Sequence, residues 1–345
     1  MKKKIQQTGN TKNQIPLILL LAVLGLVLVI VIVIGFRHNH ASAESEASSA
    51  PVGEAAQEKW QEGTISHNGK YYRYNNSLRT YLLMGIDKEG PVMEAEDSTS
   101  GGQSDAMFLI VADSENESIS VISINRNTMT KIETLDKSGT KKGEIVAQIC
   151  VQHGYGDGRH YSCDRTVDAV SNLFYHLPIS GYLSLNMDAM PILNDAVGGV
   201  QVTVLQNIED SARGVSLREG EVKTLNGMEA YCYLRKRDTN EFDSATARLR
   251  RQEQYISEYM KKLETAVAGS ASKAAEIYDS VSDYLVTDVD FANLVSELVT
   301  YEFDESRMYT VPGETRMGEV YEEFYVDDDA LYDLIIQVFY KEVEP

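Results

Sequence analysis

The chain has 345 residues, with 52 Asp and Glu against 32 Lys and Arg, and a formal net charge of −20. That length allows one large domain or two small ones with ample core. The acidic balance excludes a nucleic-acid partner, which needs a broadly basic face.

The first boundary lies at the start. Residues 15–36 are uncharged and almost wholly apolar, and at about 1.5 Å rise per residue they span a bilayer core. Lys2, Lys3, Lys4 and Lys12 precede this segment and only Arg37 follows closely. The positive-inside rule therefore predicts a cytoplasmic tail over 1–14, a transmembrane helix over 15–36 and an extracytoplasmic remainder. Ala41-Ser42-Ala43 resembles a signal-peptide cleavage site, but the apolar stretch exceeds the usual ~7–15 residues, which favours an uncleaved anchor. Without residues 1–37 the remainder carries −25. Ser-, Ala- and Glu-rich sequence after the anchor predicts a flexible stalk, placed at 37–75.

Residues 76–345 read as one α/β domain, in three α/β/α layers around a mixed central sheet. Thr80–Ile86 is a short apolar run typical of a buried strand, and Pro91–Gly102 reads as loop. Ala106–Ala112 and Ser118–Ile124, joined by a polar turn, predict a hairpin. Gly139–Cys163 is irregular and Gly-rich, and the apolar spacing in Thr166–Tyr175 predicts a helix. A strand at Tyr182–Leu185, a helix at Asp188–Val197 stopped by Gly198-Gly199, and a strand at Val200–Leu205 follow. Asn226 with Glu229 three residues on resembles a capping pair opening a short helix. A longer helix covers Thr246–Leu263. Two helical stretches after 270, strands near Met308–Val311 and Phe324–Val326, and a closing helix to about Tyr340 complete the pattern.

Three features carry chemistry. Asp87 follows the first strand and Asp105 opens the second, positions where open α/β sheets bind ligands. Two carboxylates there suit Mg²⁺ (or Mn²⁺), which completes its shell with water and phosphate. Arg126, in the polar cluster directly after Ser118–Ile124, falls on the same expected rim. Between Tyr231 and Gln252 six cationic side chains stand against three acidic ones. Arg235, Arg237, Arg248 and Arg251 offer forked donors for phosphate oxygens. Arg248 and Gln252, at i and i+4, share one helix face beside the apolar stripe of Leu249, Ile256, Met260 and Leu263. Arg235 and Arg237 point the same way if the chain is extended there.

Two groups remain. His153, Asp157, His160 and Cys163 lie close in sequence, but irregular spacing in a Gly-rich loop does not support a tetrahedral zinc site. The cysteines, Cys150, Cys163 and Cys232, are odd in number, so at least one is unpaired within the chain. The spacing leaves a Cys150–Cys163 disulfide open.

The ordered motifs resemble the LytR-CpsA-Psr family of membrane-anchored cell-wall ligases, chiefly from Arg79 to Leu263. Leu82-Leu-Met-Gly-Ile-Asp87 resembles its first strand and first aspartate. Gln103-Ser104-Asp105 and Ile124-Asn-Arg-Asn-Thr128 stand where the family has Arg-Ser-Asp and Ile-Pro-Arg-Asp-Thr. Asp195-Ala-Val-Gly-Gly-Val200 looks like its Gly-Gly turn, and Tyr233-Leu-Arg-Lys-Arg237 with Arg248-x-x-Arg251-Gln252 is similar to its arginine segment. Lys88, Gln103, Asn127 and the position of Asp243 depart from the pattern.

The resemblance implies a phosphotransferase that moves a glycopolymer phosphate from a polyprenyl-diphosphate carrier to a peptidoglycan hydroxyl. In that reading Asp87 and Asp105 bind Mg²⁺, and Arg126, Arg235, Arg237, Arg248, Arg251 and Gln252 hold the diphosphate. The lipid tail enters an apolar cavity. A polyprenyl-diphosphate-glycan hydrolase would use the same rim with water as nucleophile, and a non-enzymatic lipid-binding regulator of the envelope would keep the cavity without needing the metal.

Overall fold

The computed structural model describes residues 63–290, 292, 294 and 300–344. The tail and span expected at 1–14 and 15–36, and the stalk as far as 62, lie outside the described residues. The last part of the expected stalk is folded instead. Thr64–His67 and Lys70–Tyr74 form an antiparallel hairpin, and the closing strand Tyr340–Val343 pairs with its second arm. The folded unit therefore begins before residue 76, because Ile65 and Tyr72 pack on the main core.

Six strands make the central sheet, in the spatial order Leu285–Thr287, Gly181–Asn186, Leu78–Ile86, Ser104–Asp113, Ser118–Ile124 and Glu302–Thr310. Its middle is the antiparallel meander from Leu78 to Ile124. Gly181–Asn186 and Glu302–Thr310 add in parallel on either side, so the sheet is mixed. The pleat sends successive side chains to opposite faces. Leu82, Met84, Met107 and Leu109 meet Val170 of helix His160–Leu173 and Leu331 and Ile335 of helix Asp328–Phe339. Phe108, Ile110 and Val121 meet Leu249, Ile256 and Met260 of helix Ser244–Val267 on the other face. The expected three layers are present, with helices on both sides.

Two expectations change. Most of the irregular segment is ordered, since Lys141–Gln148 pairs antiparallel with Met129–Leu135. Its charge hid the alternation, and those charges pair across the strands, as in Lys141 Nζ to Glu133 Oε2 at 2.5 Å. The helix expected from Thr166 starts at His160, since the Asp157 carboxylate accepts the N–H groups of Arg159, Tyr161 and Ser162. The second helical stretch expected after 270 falls mostly outside the described residues.

The Asn226 cap is a full capping box. Asn226 Oδ1 accepts from the Glu229 N–H, and Glu229 Oε2 accepts from the Asn226 N–H, both at 3.0 Å. It opens helix Gly227–Arg235, which delivers the arginine segment. Asn226→Ala is expected to cost about 1 kcal/mol of unfolding free energy. Denaturant titration checks this, and a change below a few tenths would contradict it.

Candidate functional site

The site is built at the end of the central meander. In the register of the first two central strands, Gly85 pairs with Ala106 and Ile86 with Ser104, so Asp105 has no partner and forms a β-bulge. Strict alternation would send Asp105 to the face of Met107, the core face packed on helix His160–Leu173. The bulge re-aims it instead to the mouth of a cavity on the opposite face.

Asp87 stands beside it, held by the neighbouring chain. Its Oδ1 accepts the Gln103 N–H at 2.6 Å and its own N–H donates to the Gln103 carbonyl at 3.0 Å. Gly102 has φ +86, and a Cβ there would lie 3.1 Å from Asp87 Oδ1 and 2.9 Å from Ile86 Cγ2. Only glycine lets the loop approach this closely.

Three guanidiniums act on Asp105, and one of them, Arg126, also acts on Asp87. Arg248 Nη1 donates to Asp105 Oδ2 at 2.8 Å and Nη2 to the Asp105 carbonyl at 3.3 Å, with Arg248 only 3% exposed. Arg126 Nε lies 2.9 Å from Asp105 Oδ1, although its N–H is not directed at that oxygen. Arg126 Nη2 donates to Gln103 Oε1, and also to Cys150 Sγ at 2.9 Å. Arg237 is half-buried and makes no hydrogen bond or ion pair among the described residues. Burial, then the charges of Arg248 and Arg126, hold its guanidinium below the usual arginine range.

The two aspartates are tuned in opposite directions. Burial raises Asp87, and the nearby Asp105 adds to that. Burial alone would raise Asp105 too, but Arg248 and Arg126 outweigh it and the carboxyl titrates below its ordinary value. At Asp87 burial and Asp105 together outweigh the nearby charges of Arg126 and Lys88. Hard carboxylate oxygens on two neighbouring residues fit Mg²⁺ or Mn²⁺ by donor chemistry.

Two other expected residues sit elsewhere. The chain is helical through Arg235 and extended only from Lys236, so Arg235 and Arg237 do not share a face. Arg235 Nη1 bonds Glu89 Oε1 at 3.0 Å and Tyr231 Oη at 2.7 Å, and its guanidinium lies over the Tyr231 ring. Arg251 is 1% exposed and donates to the carbonyls of Tyr233 and Lys236, so it fastens the arginine segment from inside. Gln252 does face the cavity, with its Nε2 on the Leu234 carbonyl at 3.2 Å.

The cavity has a volume of about 280 Å³ and runs between the sheet and helices Ser244–Val267 and Ala271–Val281. Leu83, Phe108, Leu183, Ile256, Met260 and Ile277 give it an apolar wall, and Asp105 and Gln252 reach it from the rim. Three residues of the helix stripe read from the sequence, Ile256, Met260 and Leu263, line the cavity, while Leu249 packs on the sheet.

The remaining clusters serve structure. His153 Nδ1 lies 3.2 Å from the Gly102 carbonyl and its Nε2 3.7 Å from Cys163 Sγ, while His160 Nδ1 meets Tyr182 Oη at 2.7 Å. The three cysteines are separate buried thiols, so the Cys150–Cys163 pair is not a disulfide here. Asn127 Oδ1 accepts from Gln148, and Asp243 Oδ1 from the Thr315 hydroxyl. Sequence reasoning missed Gln103 and Cys150 as partners of Arg126, because nothing in their spacing relates them to it.

An apolar cavity opening beneath a carboxylate–arginine rim, on a mixed α/β sheet, defines a protein suited to an amphiphile with an anionic head. The family model described as LytR_cpsA_psr family matches residues 36–335, and the chain belongs to that family. It is 32% identical over 213 residues to the polyisoprenyl-teichoic acid–peptidoglycan teichoic acid transferase TagU of Halalkalibacterium halodurans, a match covering 60% of each chain. To the transferase of the same name from Bacillus subtilis it is 26% identical over 261 residues, covering 73% of this chain and 74% of that one. The crystal structure of B. subtilis TagV shares the fold, with a TM-score of 0.59 at 22% identity over 76% of this chain and 96% of that one.

Proposed function

We propose that the protein is a membrane-anchored phosphotransferase that moves a glycopolymer phosphate from a polyprenyl-diphosphate carrier to peptidoglycan during cell-wall assembly. One observation carries this reading: three guanidiniums gather about Asp105 at the mouth of an apolar cavity, with Asp87 beside it, and Arg237 has no hydrogen-bonding partner among the described residues. A diphosphate supplies the missing anion and a prenyl chain fills the cavity. The TagU relatives, named for transfer of teichoic acid from a polyisoprenyl carrier to peptidoglycan, support the same chemistry.

In the reaction, an acceptor sugar hydroxyl attacks the phosphorus that carries the glycan. A new P–O bond forms as the hydroxyl gives up its proton to water, the bond to the bridging oxygen breaks, and polyprenyl phosphate leaves. Arg126, Arg237 and Arg248 hold the non-bridging oxygens and stabilise charge gathering on the leaving phosphate. Gln252 stands where the head meets the tail. Asp87 and Asp105 are the residues that would hold Mg²⁺, which when bound neutralises diphosphate charge. Residues 15–36 anchor the chain with its N-terminus in the cytoplasm, which keeps the domain beside a substrate whose tail stays in the bilayer.

The test incubates the purified exterior domain with a lipid-linked disaccharide diphosphate, Mg²⁺ and a peptidoglycan oligomer. Glycan on the oligomer supports transfer. Release of free glycan phosphate would point to a hydrolase, and tight binding without turnover to a sensor. The cavity makes a separate claim. Ala106 lines it beside Asp105, and Ala106→Phe is expected to raise the KM for a long-chain donor about tenfold, equivalent to ~1.4 kcal/mol. An unchanged KM would remove the cavity from the mechanism.

A further inference from the structure

We infer that Gln103 is a positioning residue for the diphosphate site, fixing Arg126 with a neutral amide so that its charge stays available to the phosphate. The inference rests on the diphosphate reading above. Among the described residues, Gln103 is the one bonded to both Asp87 and Arg126. Its backbone brackets Asp87 through two hydrogen bonds, and its side-chain Oε1 accepts from Arg126 Nη2. Asp105, the third member of the rim, lies two residues further along the same strand entry.

The neutrality of this contact is the central point. Arg126 is 10% exposed, and Asp105, its anionic neighbour, is shared with Arg248. Its other side-chain partner, Cys150 Sγ, is a buried thiol pushed up to about 11 and therefore uncharged at neutral pH. Cys150 Sγ also lies 3.8 Å from Gln103 Oε1, which closes a small triangle around Nη2. Two neutral acceptors thus fix the guanidinium plane without adding a second anion to Asp105, which Arg126 shares with Arg248. A carboxylate at position 103 would satisfy the same nitrogen but give Arg126 a second anionic partner besides Asp105, and it would add a third anion beside Asp87 and Asp105. Both changes oppose an incoming diphosphate.

Two near-isosteric variants separate orientation from charge. Gln103→Glu keeps the shape and an acceptor oxygen but adds a negative charge, while Gln103→Met keeps the length and removes the acceptor. Affinity for geranylgeranyl diphosphate is measured calorimetrically in magnesium-free buffer, so that no metal masks the charge. Thermal stability is recorded in parallel, and transfer kinetics follow with Mg²⁺ present. Gln103→Glu is expected to weaken binding about tenfold or more, an effect that shrinks at high salt. Gln103→Met should bind within about threefold of wild type yet lose about tenfold in kcat, since Arg126 keeps its charge but not its aim.

Wild-type affinity and kcat in both variants would overturn the inference. So would losses in both that track a fall in Tm, because that marks a purely structural contact. A wild-type domain that binds the diphosphate but transfers nothing would count against the transferase reading, while the affinity ratios would still decide the role of Gln103.

Discussion

Asp105→Asn and Asp87→Asn are expected to shift the stability of the magnesium-free domain in opposite directions while both sharply reduce transfer. The Asp105 carboxyl is held low because Arg248 and Arg126 together outweigh its burial. A depressed carboxyl stabilises the fold above its unfolded pKa, and that contribution is lost as pH falls through the folded value. Asp105→Asn leaves two buried guanidiniums without their carboxylate, a loss on the order of 3 kcal/mol at neutral pH. The penalty should fade in acid.

Asp87 has the reverse sign. Burial and the neighbouring Asp105 raise its pKa, so its contribution is full below the unfolded value and is lost as pH rises through the raised one. Asp87→Asn removes that cost and keeps the Oδ1 acceptor for the Gln103 N–H, so it should stabilise the fold at neutral pH and do nothing below ordinary carboxylate pH. Denaturant unfolding at pH 7 and in acid reads both signs. Destabilisation by Asp87→Asn at pH 7 would show that this aspartate is a structural cap rather than a strained site residue. Transfer should fall by about 10²–10³ in each variant, comparable to losing one preorganised electrostatic partner.

The second large effect is expected from Arg248→Lys. Arg248 reaches Asp105 through both ends of its fork, with Nη1 on the carboxylate and Nη2 on the main-chain carbonyl. It also comes within 3.5 Å of the Arg235 carbonyl, tying the long helix to the arginine segment. An ammonium keeps the charge but cannot make the forked contact. Transfer should fall by about 10², mostly in kcat, with the far-UV spectrum unchanged. Single-turnover kinetics at saturating donor check this, and a loss confined to KM would mean that Arg248 contributes charge alone.

Much of this site was legible in the sequence, and each legible part is local. The buried strands around Leu82 and Leu109, the Asn226 capping pair and the stripe through Ile256 and Met260 depend on spacing along one element. So do the strand-end positions of Asp87 and Asp105, and the i, i+4 relation of Arg248 to Gln252. The charged hairpin Met129–Gln148 escaped because its Lys and Glu residues satisfy one another across strands, and pairing of that kind leaves no apolar period.

The sequence alone determined that a strongly acidic chain gathers arginines after Tyr231 and places aspartates where two buried strands meet their loops. Only the tertiary structure decided which arginines reach the aspartates. Arg235 turns to Glu89 because the helix runs through it, and Arg251 turns inward to two main-chain carbonyls. Arg237 is left without a hydrogen-bonding partner among the described residues. The tertiary structure also set the direction of Asp105, since strict alternation would have placed it on the opposite face. A single bulge carries it to the cavity mouth. Such a bulge is fixed by register against the neighbouring strand, and register is a relation between two segments that neither encodes alone.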